Sequence, residues 1–204
     1  IIMPALMGIV ADRWMQAQKV LSLCHFLAGG AMIAASLYCI QASDNVDFST
    51  LFGLYSISVA FFMPTIALTN SVSYNALDKA GLDAVKTFPP IRVFGTVGFI
   101  VSMWIVDLSG WQTTSLQFLW SGILSVVLAL YSLTMPKCET NANKSTGNIA
   151  QALGLEAFKL FKNYRMALFF IFSMLLGCCL QITNGYAGPF LQSFGINEIY
   201  QGTF

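Results

Sequence analysis

The sequence contains little charge. Only 9% of its residues are Asp, Glu, Lys or Arg, whereas 56% are hydrophobic. A soluble domain usually has about a quarter of its residues charged. Several apolar runs reach the roughly 20 residues that are needed to cross a bilayer. These features exclude a soluble globular domain and predict an all-α, polytopic membrane protein whose main partner is the lipid bilayer.

Other absences exclude further classes of function. The lone histidine, His25, has no carboxylate near it in the sequence, and no paired acids or Ser–His arrangement is present, so the sequence does not predict an enzyme. The five cysteines lack metal-ligand spacing, and we expect neither a metal site nor a cofactor. There is also no basic cluster of the kind that binds nucleic acid.

The apolar runs predict six membrane spans, at 1–10 (truncated), 19–41, 50–76, 90–108, 114–135 and 166–193. All ten basic residues fall on one side of these spans, either in the first, third and fifth connections or, for Arg92, at the start of the span that follows. The positive-inside rule therefore predicts that the odd-numbered connections are cytoplasmic. The sequence begins and ends without terminal features, and we expect it to be a fragment of a longer protein.

The run from Phe88 to Phe99 introduces a charge into an apolar span. Pro89 and Pro90 suit a helix start, and Arg92 follows them. At about 100° per residue, Arg92, Thr96 and Phe99 share one face of the helix. A guanidinium that faces lipid is costly, which favours a polar ligand site between helices. In the alternative interpretation, Arg92 snorkels to the headgroups. The small residues beside this face suit close helix packing: Gly95, Gly98 and Ser102.

The last span contains a second polar stripe. Gln181 and Asn184 lie one turn apart and offer both donors and acceptors. Such amides either bind a ligand or hold helices together. Gly185, Gly188 and Pro189 predict a broken or bent end of this helix.

The third span contains Pro64 and a row of hydroxyl side chains. Thr65, Thr69 and Ser73 are spaced four residues apart, and we expect them to line a hydrated cavity. The alternative is that they donate hydrogen bonds to carbonyl groups of their own helix.

Charge and polarity divide the chain into three parts. Residues 1–135 are predicted to form part of a first helical bundle, and residues 166–204 the first helix of a second bundle with its outer end. Residues 136–165 are rich in Asn, Thr, Ser and Lys and are predicted to form a cytoplasmic linker. Within the linker, the apolar spacing at 154–162 suits a short amphipathic helix on the membrane surface.

With these segments in place, the chain resembles the major facilitator superfamily. The segment from Gly8 to Lys19, with Asp12 and Arg13 at its core, is similar to the signature loop between the second and third helices of that superfamily. Met15-Gln16 stands where many members have Gly-Arg. Three segments are more specifically similar to bacterial nucleoside:proton symporters: Met3 to Trp14, Phe88 to Phe99 and Phe169 to Asn184.

The resemblance implies a major facilitator fold fragment that extends from the end of helix 2 to helix 7 of a twelve-helix protein. It implies proton-coupled nucleoside uptake by alternating access in the bacterial inner membrane, by a monomer, with the proton as coupling ion. We expect the proton-coupling carboxylate to lie in helices 8–12. The implied substrate site consists of Arg92, Thr96, Phe99, Gln181 and Asn184, and the implied conformational loop contains Gly8, Asp12 and Arg13.

Two alternatives remain open from the sequence. Arg-x-Phe-Gly-x-Val-Gly is also similar to the lactose-permease type, which leaves a sugar:proton symporter as the second interpretation. A structural or receptor-like membrane protein is the alternative from another class. Such a protein would not need an arginine and amides that face each other within the membrane.

Overall fold

A computed structural model describes residues 2–43, 45–111, 114–138 and 161–195, and the regular structure of these residues is helical. The helices are α1 (Ile2–Arg13), α2 (Ala17–Ala42), α3 (Phe48–Lys79), α4 (Ala84–Leu108), α5 (Leu116–Leu133) and α6 (Tyr164–Ser193). Helices α2 to α6 are each long and apolar enough to span a membrane. Five of the six predicted spans therefore correspond to complete helices, and the all-α prediction is confirmed.

The tightest packing in the molecule is between α2 and α5. Gly29 and Gly122 face each other so closely that a Cβ atom added to Gly29 would lie 2.9 Å from the Gly122 carbonyl oxygen. A Cβ atom added to Gly122 would lie 2.6 Å from a side-chain carbon of Ile33. Because lipid provides no hydrophobic force between helices, small residues that let backbones approach are a main source of attraction.

Hydrogen bonds from short side chains supplement this packing. Ser22 donates to the carbonyl oxygen of Ala129 at 2.7 Å, and Ser36 donates to the carbonyl oxygen of Ser115 at 2.9 Å. His25 is buried, with its Nδ1 3.3 Å from Oγ of Ser125. The histidine thus has a packing role within the α2–α5 interface.

Helix α3 packs along another side of α2. Ser58 of α3 donates to the carbonyl oxygen of Ala28 at 2.9 Å. Val20 and Cys24 of α2 join Leu68 and Val72 of α3 in a buried cluster, and Ala11 of α1 belongs to the same cluster. Helices α1, α2, α3 and α5 therefore form the packed part of the molecule, with α2 at its centre.

The polar row on α3 is only partly consistent with a cavity. Thr65 is buried, and its hydroxyl donates to the Phe62 carbonyl oxygen of the same helix at 2.6 Å. The prediction that Thr65 lines a hydrated cavity is wrong, because the side chain is buried and its hydroxyl bonds a carbonyl of its own helix. Thr69 is exposed and Ser73 half-buried.

The predicted start of α4 is also wrong. Pro89 and Pro90 lie inside the helix, which begins at Ala84. Asp83 supplies the start instead, since its carboxylate accepts the N–H of Val85 at 3.0 Å. The two prolines are tolerated because the carbonyl groups that they leave unbonded belong to Val85 and Lys86, two exposed residues at the helix end that water can reach.

Two further boundaries differ from the prediction. Helix α1 extends through Arg13, so the connection to α2 consists of residues 14–16 rather than a longer loop. Helix α6 continues to Ser193 through Gly185, Gly188 and Pro189, and is not broken there. The amphipathic helix predicted at 154–162 lies outside the described residues, except for Phe161 and Lys162, which form a short 3-10 turn.

The segment after α5 folds back onto the packed part of the molecule. The backbone N–H of Cys138 donates to Oε1 of Gln18 at 3.0 Å, and Nζ of Lys79 donates to the Lys137 carbonyl oxygen. Cys138 and Gln18 are both buried, with 5% and 3% of their surfaces exposed. Burial raises the pKa of the Cys138 thiol, although Lys79 acts in the opposite direction. Residues 137 and 138 are therefore anchored to the end of α3 and the start of α2.

Helices α4 and α6 are packed much less than the others. None of the residues of α4 is buried, and its extended contact is with α3 alone. Helix α6 makes no extended contact with the other described helices, and none of its described side chains is buried. Their apolar side chains are thus available for lipid or for further helices.

We expect Gly29→Ala to lower the melting temperature of the purified protein in detergent. The new methyl group would overlap backbone of α5, which overpacks the interface at a cost of about 1–3 kcal/mol. Gly30→Ala is the matched control, because a Cβ atom at Gly30 meets nothing within 4 Å. Equal melting temperatures for the two variants would contradict the close approach of α2 and α5.

We expect Gln18→Ala to speed alkylation of Cys138 in a variant whose other cysteines are serine, by about tenfold if most of the protection depends on this bond. The amide would no longer hold the Cys138 backbone, and the segment would open more often. Gln41→Ala, at the exposed opposite end of α2, should leave the rate unchanged.

The alkylation rate should also depend on pH in a defined direction. Because the thiolate is the reactive form, a raised pKa means that the rate of folded Cys138 still increases at pH values where a free cysteine is already mostly thiolate. Rates measured from pH 7 to 10 on the protein and on free cysteine test this difference. If the rate for Cys138 reaches its plateau at the same pH as the rate for free cysteine, or at a lower pH, the effect of burial is contradicted.

Candidate functional site

The three predicted site residues of α4 are exposed along one face of the helix. Arg92, Thr96 and Phe99 are exposed, and Phe99 has 65% of its surface accessible. None of these three side chains makes a hydrogen bond, ion pair or ring contact with another described residue. This face therefore presents a cation, a hydroxyl and an aromatic ring, all of them available to a ligand.

The early start of α4 changes the depth of the arginine. Arg92 is the ninth residue of the helix rather than part of its first turn. At about 1.5 Å per residue, it lies roughly 12 Å along the axis from Ala84. The charge is thus further from the helix end than the prolines had indicated. The side chain would have to extend further to snorkel to the headgroups, which makes that alternative less favourable.

The residues predicted on α6 lie on a helix that stands apart. Gln181 is exposed, and Asn184 lies one turn further along α6, with its side chain outside those that are described. Because α4 and α6 share no extended contact, the described structure does not bring Gln181 next to Arg92. The α4 residues and the α6 residues of the predicted site therefore make no extended contact with each other in the described structure.

The predicted conformational loop is helical for most of its core. Gly8, Asp12 and Arg13 belong to α1, with Asp12 and Arg13 in its last turn. A Cβ atom at Gly8 would meet nothing within 4 Å. The side chains of Asp12 and Arg13 lie outside those described, so their predicted role stays a prediction.

A cavity that the sequence did not predict, lined by both polar and apolar residues, lies where α3 ends and α4 begins. It measures about 660 Å³ and is lined by Asn75, Asp78, Tyr74 and Phe88, among others. The centroids of the Tyr74 and Phe88 rings lie 4.5 Å apart. Oδ1 of Asn75 is buried and has no hydrogen-bond partner among the described residues. The cavity is large enough for a small polar molecule or several waters.

A sequence signal for this cavity does exist. Ser71, Tyr74, Asn75 and Asp78 follow the spacing of one helix face, i, i+3, i+4 and i+7. The stripe lies in the last turns of α3, and its first residue precedes Ser73, the last residue of the hydroxyl row. The cavity also lies beside Pro89, less than one turn before Arg92.

The residues that the structure describes contain no group of three or more His, Cys, Asp or Glu side chains that could hold a metal ion. The chemistry available at the α4 face is hydrogen bonding, charge and aromatic contact. These are interactions for binding a polar, partly aromatic molecule.

Comparison with known proteins gives one consistent result. The model of the family described as nucleoside H+ symporter matches residues 1–201. Xanthosine permease of Escherichia coli (strain K12) is 47% identical over all 204 residues, and nucleoside permease NupG of the same strain is 42% identical over the same length. By family and by name these relatives are transporters rather than enzymes.

A solved structure supports the fold independently. The crystal structure of a mutant of the nucleoside transporter NupG superposes with a TM-score of 0.74 at 42% sequence identity and covers 99% of this chain. The chain itself covers 48% of that structure and 47% of each of the two permeases. It therefore spans about half the length of the relatives that it matches. The predicted major facilitator fold is confirmed for this half.

Proposed function

We propose that the full-length protein takes up nucleosides together with protons. The premise is that this chain belongs to the nucleoside H+ symporter family. The observation that carries the proposal is the exposed α4 face of Arg92, Thr96 and Phe99, in a chain that is 42% to 47% identical to two nucleoside or xanthosine permeases. The sugar:proton alternative rests on the similarity of the Arg-x-Phe-Gly-x-Val-Gly segment alone.

The chemistry of the α4 face suits a nucleoside. Arg92 and Thr96 can donate hydrogen bonds to ribose hydroxyls or to a carbonyl oxygen of the base. Phe99 offers a flat apolar surface to the base or the sugar. A nucleoside has both polar and aromatic parts, so this face can contact both at once.

Gln181 and Asn184 would complete the site from α6. Their amide groups match the paired donor and acceptor edges of a base. In this proposal α4 and α6 belong to opposite halves of the protein, and the substrate binds between them. Rocking of the halves would then expose the site to each side of the membrane in turn. The weak packing of both helices supports an arrangement in which their free faces meet a ligand and additional helices.

The same proposal includes an orientation in the inner membrane. The connections after α1, α3 and α5 would be cytoplasmic, because the basic residues of the chain lie at those helix ends. Gly8, Asp12 and Arg13 would then belong to the cytoplasmic end of α1. A complete site of this kind needs only one copy of the protein, and we propose that it acts as a monomer.

Uptake of labelled uridine tests the function. In cells that lack their own nucleoside carriers, we expect saturable uptake by the full-length parent and a loss of about tenfold or more in kcat/KM for Arg92→Ala, since bonds to a charged group are lost. Lys86→Ala is the matched control, because it removes an exposed positive charge from the same helix and should transport normally. Uptake of a sugar but not of uridine would overturn the nucleoside assignment.

Substrate protection tests the position of the site. We expect Thr96→Cys in an otherwise cysteine-free parent to react with a water-soluble thiol reagent, and uridine to slow that reaction. Val101→Cys is the control, since it lies on the opposite side of α4 from Arg92 at about 100° per residue. Reaction at position 101 but not at 96, or no effect of uridine, would place the site elsewhere.

A further inference from the structure

Arg92 does not project freely from α4 but lies along the helix surface. One terminal nitrogen of its guanidinium, Nη1, lies 2.6 Å from the position that a Cβ atom on Gly95 would occupy, and the central carbon Cζ lies 3.7 Å from the same point. The guanidinium thus occupies the space that every residue other than glycine would fill at position 95. Gly95 therefore leaves room for the guanidinium of Arg92 against the helix surface.

The direction of the side chain is unusual for a helix. Side chains normally tilt toward the N-terminus of their helix, so a relaxed Arg92 would lie over the turn that contains Pro89. The guanidinium instead extends toward Gly95, which lies three residues further along α4. An arginine that snorkels from the start of α4 would point the opposite way.

Gly95 is also distinct from the neighbouring glycine of the same helix. A Cβ atom at Gly98 would meet nothing within 4 Å. Neither glycine has a left-handed backbone, since both lie within regular α4 and are absent from the residues with positive φ. Conformational freedom therefore does not explain Gly95, whereas the contact with Arg92 does.

We propose that Gly95 is a positioning residue that sets the direction of the Arg92 guanidinium toward the substrate. This inference rests on the proposed function, because it assigns Gly95 a role in nucleoside affinity. A side chain at position 95 would displace the guanidinium from this position. The displaced atoms are the end of a flexible side chain, so the change should cost affinity and not folding.

The test is the kinetics of uridine uptake by full-length Gly95→Ala, with Gly98→Ala as its matched control. Both changes add the same methyl group to an exposed position of α4 and favour the helix equally. For Gly95→Ala we expect KM to rise by about three- to tenfold with little change in maximal rate, and for Gly98→Ala a change within about twofold. Both should match the parent in membrane expression and in melting temperature in detergent.

A double-mutant cycle separates positioning from helix packing. When Arg92→Ala already removes the guanidinium, adding Gly95→Ala should change KM by less than about twofold, because no charge remains to be displaced. A merely structural role would give Gly95→Ala the same effect in both backgrounds. Calorimetric binding of uridine to the purified variants provides the same comparison if uptake is too low to fit.

The outcomes distinguish this inference from the function on which it rests. If the parent takes up no uridine, the proposed function fails and the role of Gly95 with it. If Arg92→Ala transports normally, the arginine is not a ligand and Gly95 has nothing to position. If Arg92→Ala is impaired while Gly95→Ala behaves like Gly98→Ala, or if the two changes are additive, only the role of Gly95 is overturned.

Discussion

The close approach of α2 and α5 at Gly29 and Gly122 is the contact on which the packed part of the molecule depends. Inside a bilayer, apolar side chains gain little by leaving lipid for another helix, so shape and hydrogen bonding must hold helices together. The two glycines bring the backbones near enough for Ser22 and Ser36 to reach carbonyl oxygens on α5 or beside it. A larger residue at either glycine would weaken the hydrogen bonds as well as the packing.

The contrast with α4 and α6 has a physical basis. Both are as apolar as α2, yet neither has a buried side chain in the described structure. Apolar composition makes a helix compatible with lipid but does not select a protein neighbour. Small residues are present on α4 as well, at Gly95, Gly98 and Ser102. Because the chain spans about half the length of its relatives, partners for the free faces of α4 and α6 can lie in the other half.

Much of this fold could be predicted from the sequence, and the errors have a common origin. Apolar length located α2 to α6 because the hydrocarbon thickness fixes how many residues a span needs. The local signals failed where a side chain formed a hydrogen bond with the backbone next to it. Asp83 started α4 before Pro89, and Thr65 bonded within α3 instead of lining a cavity. Which hydrogen-bond partner a hydroxyl or a carboxylate finds depends on neighbours that helical periodicity does not reveal.

The candidate site was less predictable than the fold, since it depends on the direction in which each side chain points as well as on the helix face that carries it. Periodicity placed Arg92, Thr96 and Phe99 together, but it gives no information on which way a long side chain points along the axis. That direction depends on whether position 95 has a Cβ atom, because the guanidinium uses the same space. Glycines in membrane helices are usually assigned to helix packing, as at Gly29. At Gly95 the absent side chain makes room for a charge of its own helix. Glycine therefore allows close helix packing in α2, and in the site that we propose it orients an arginine in α4.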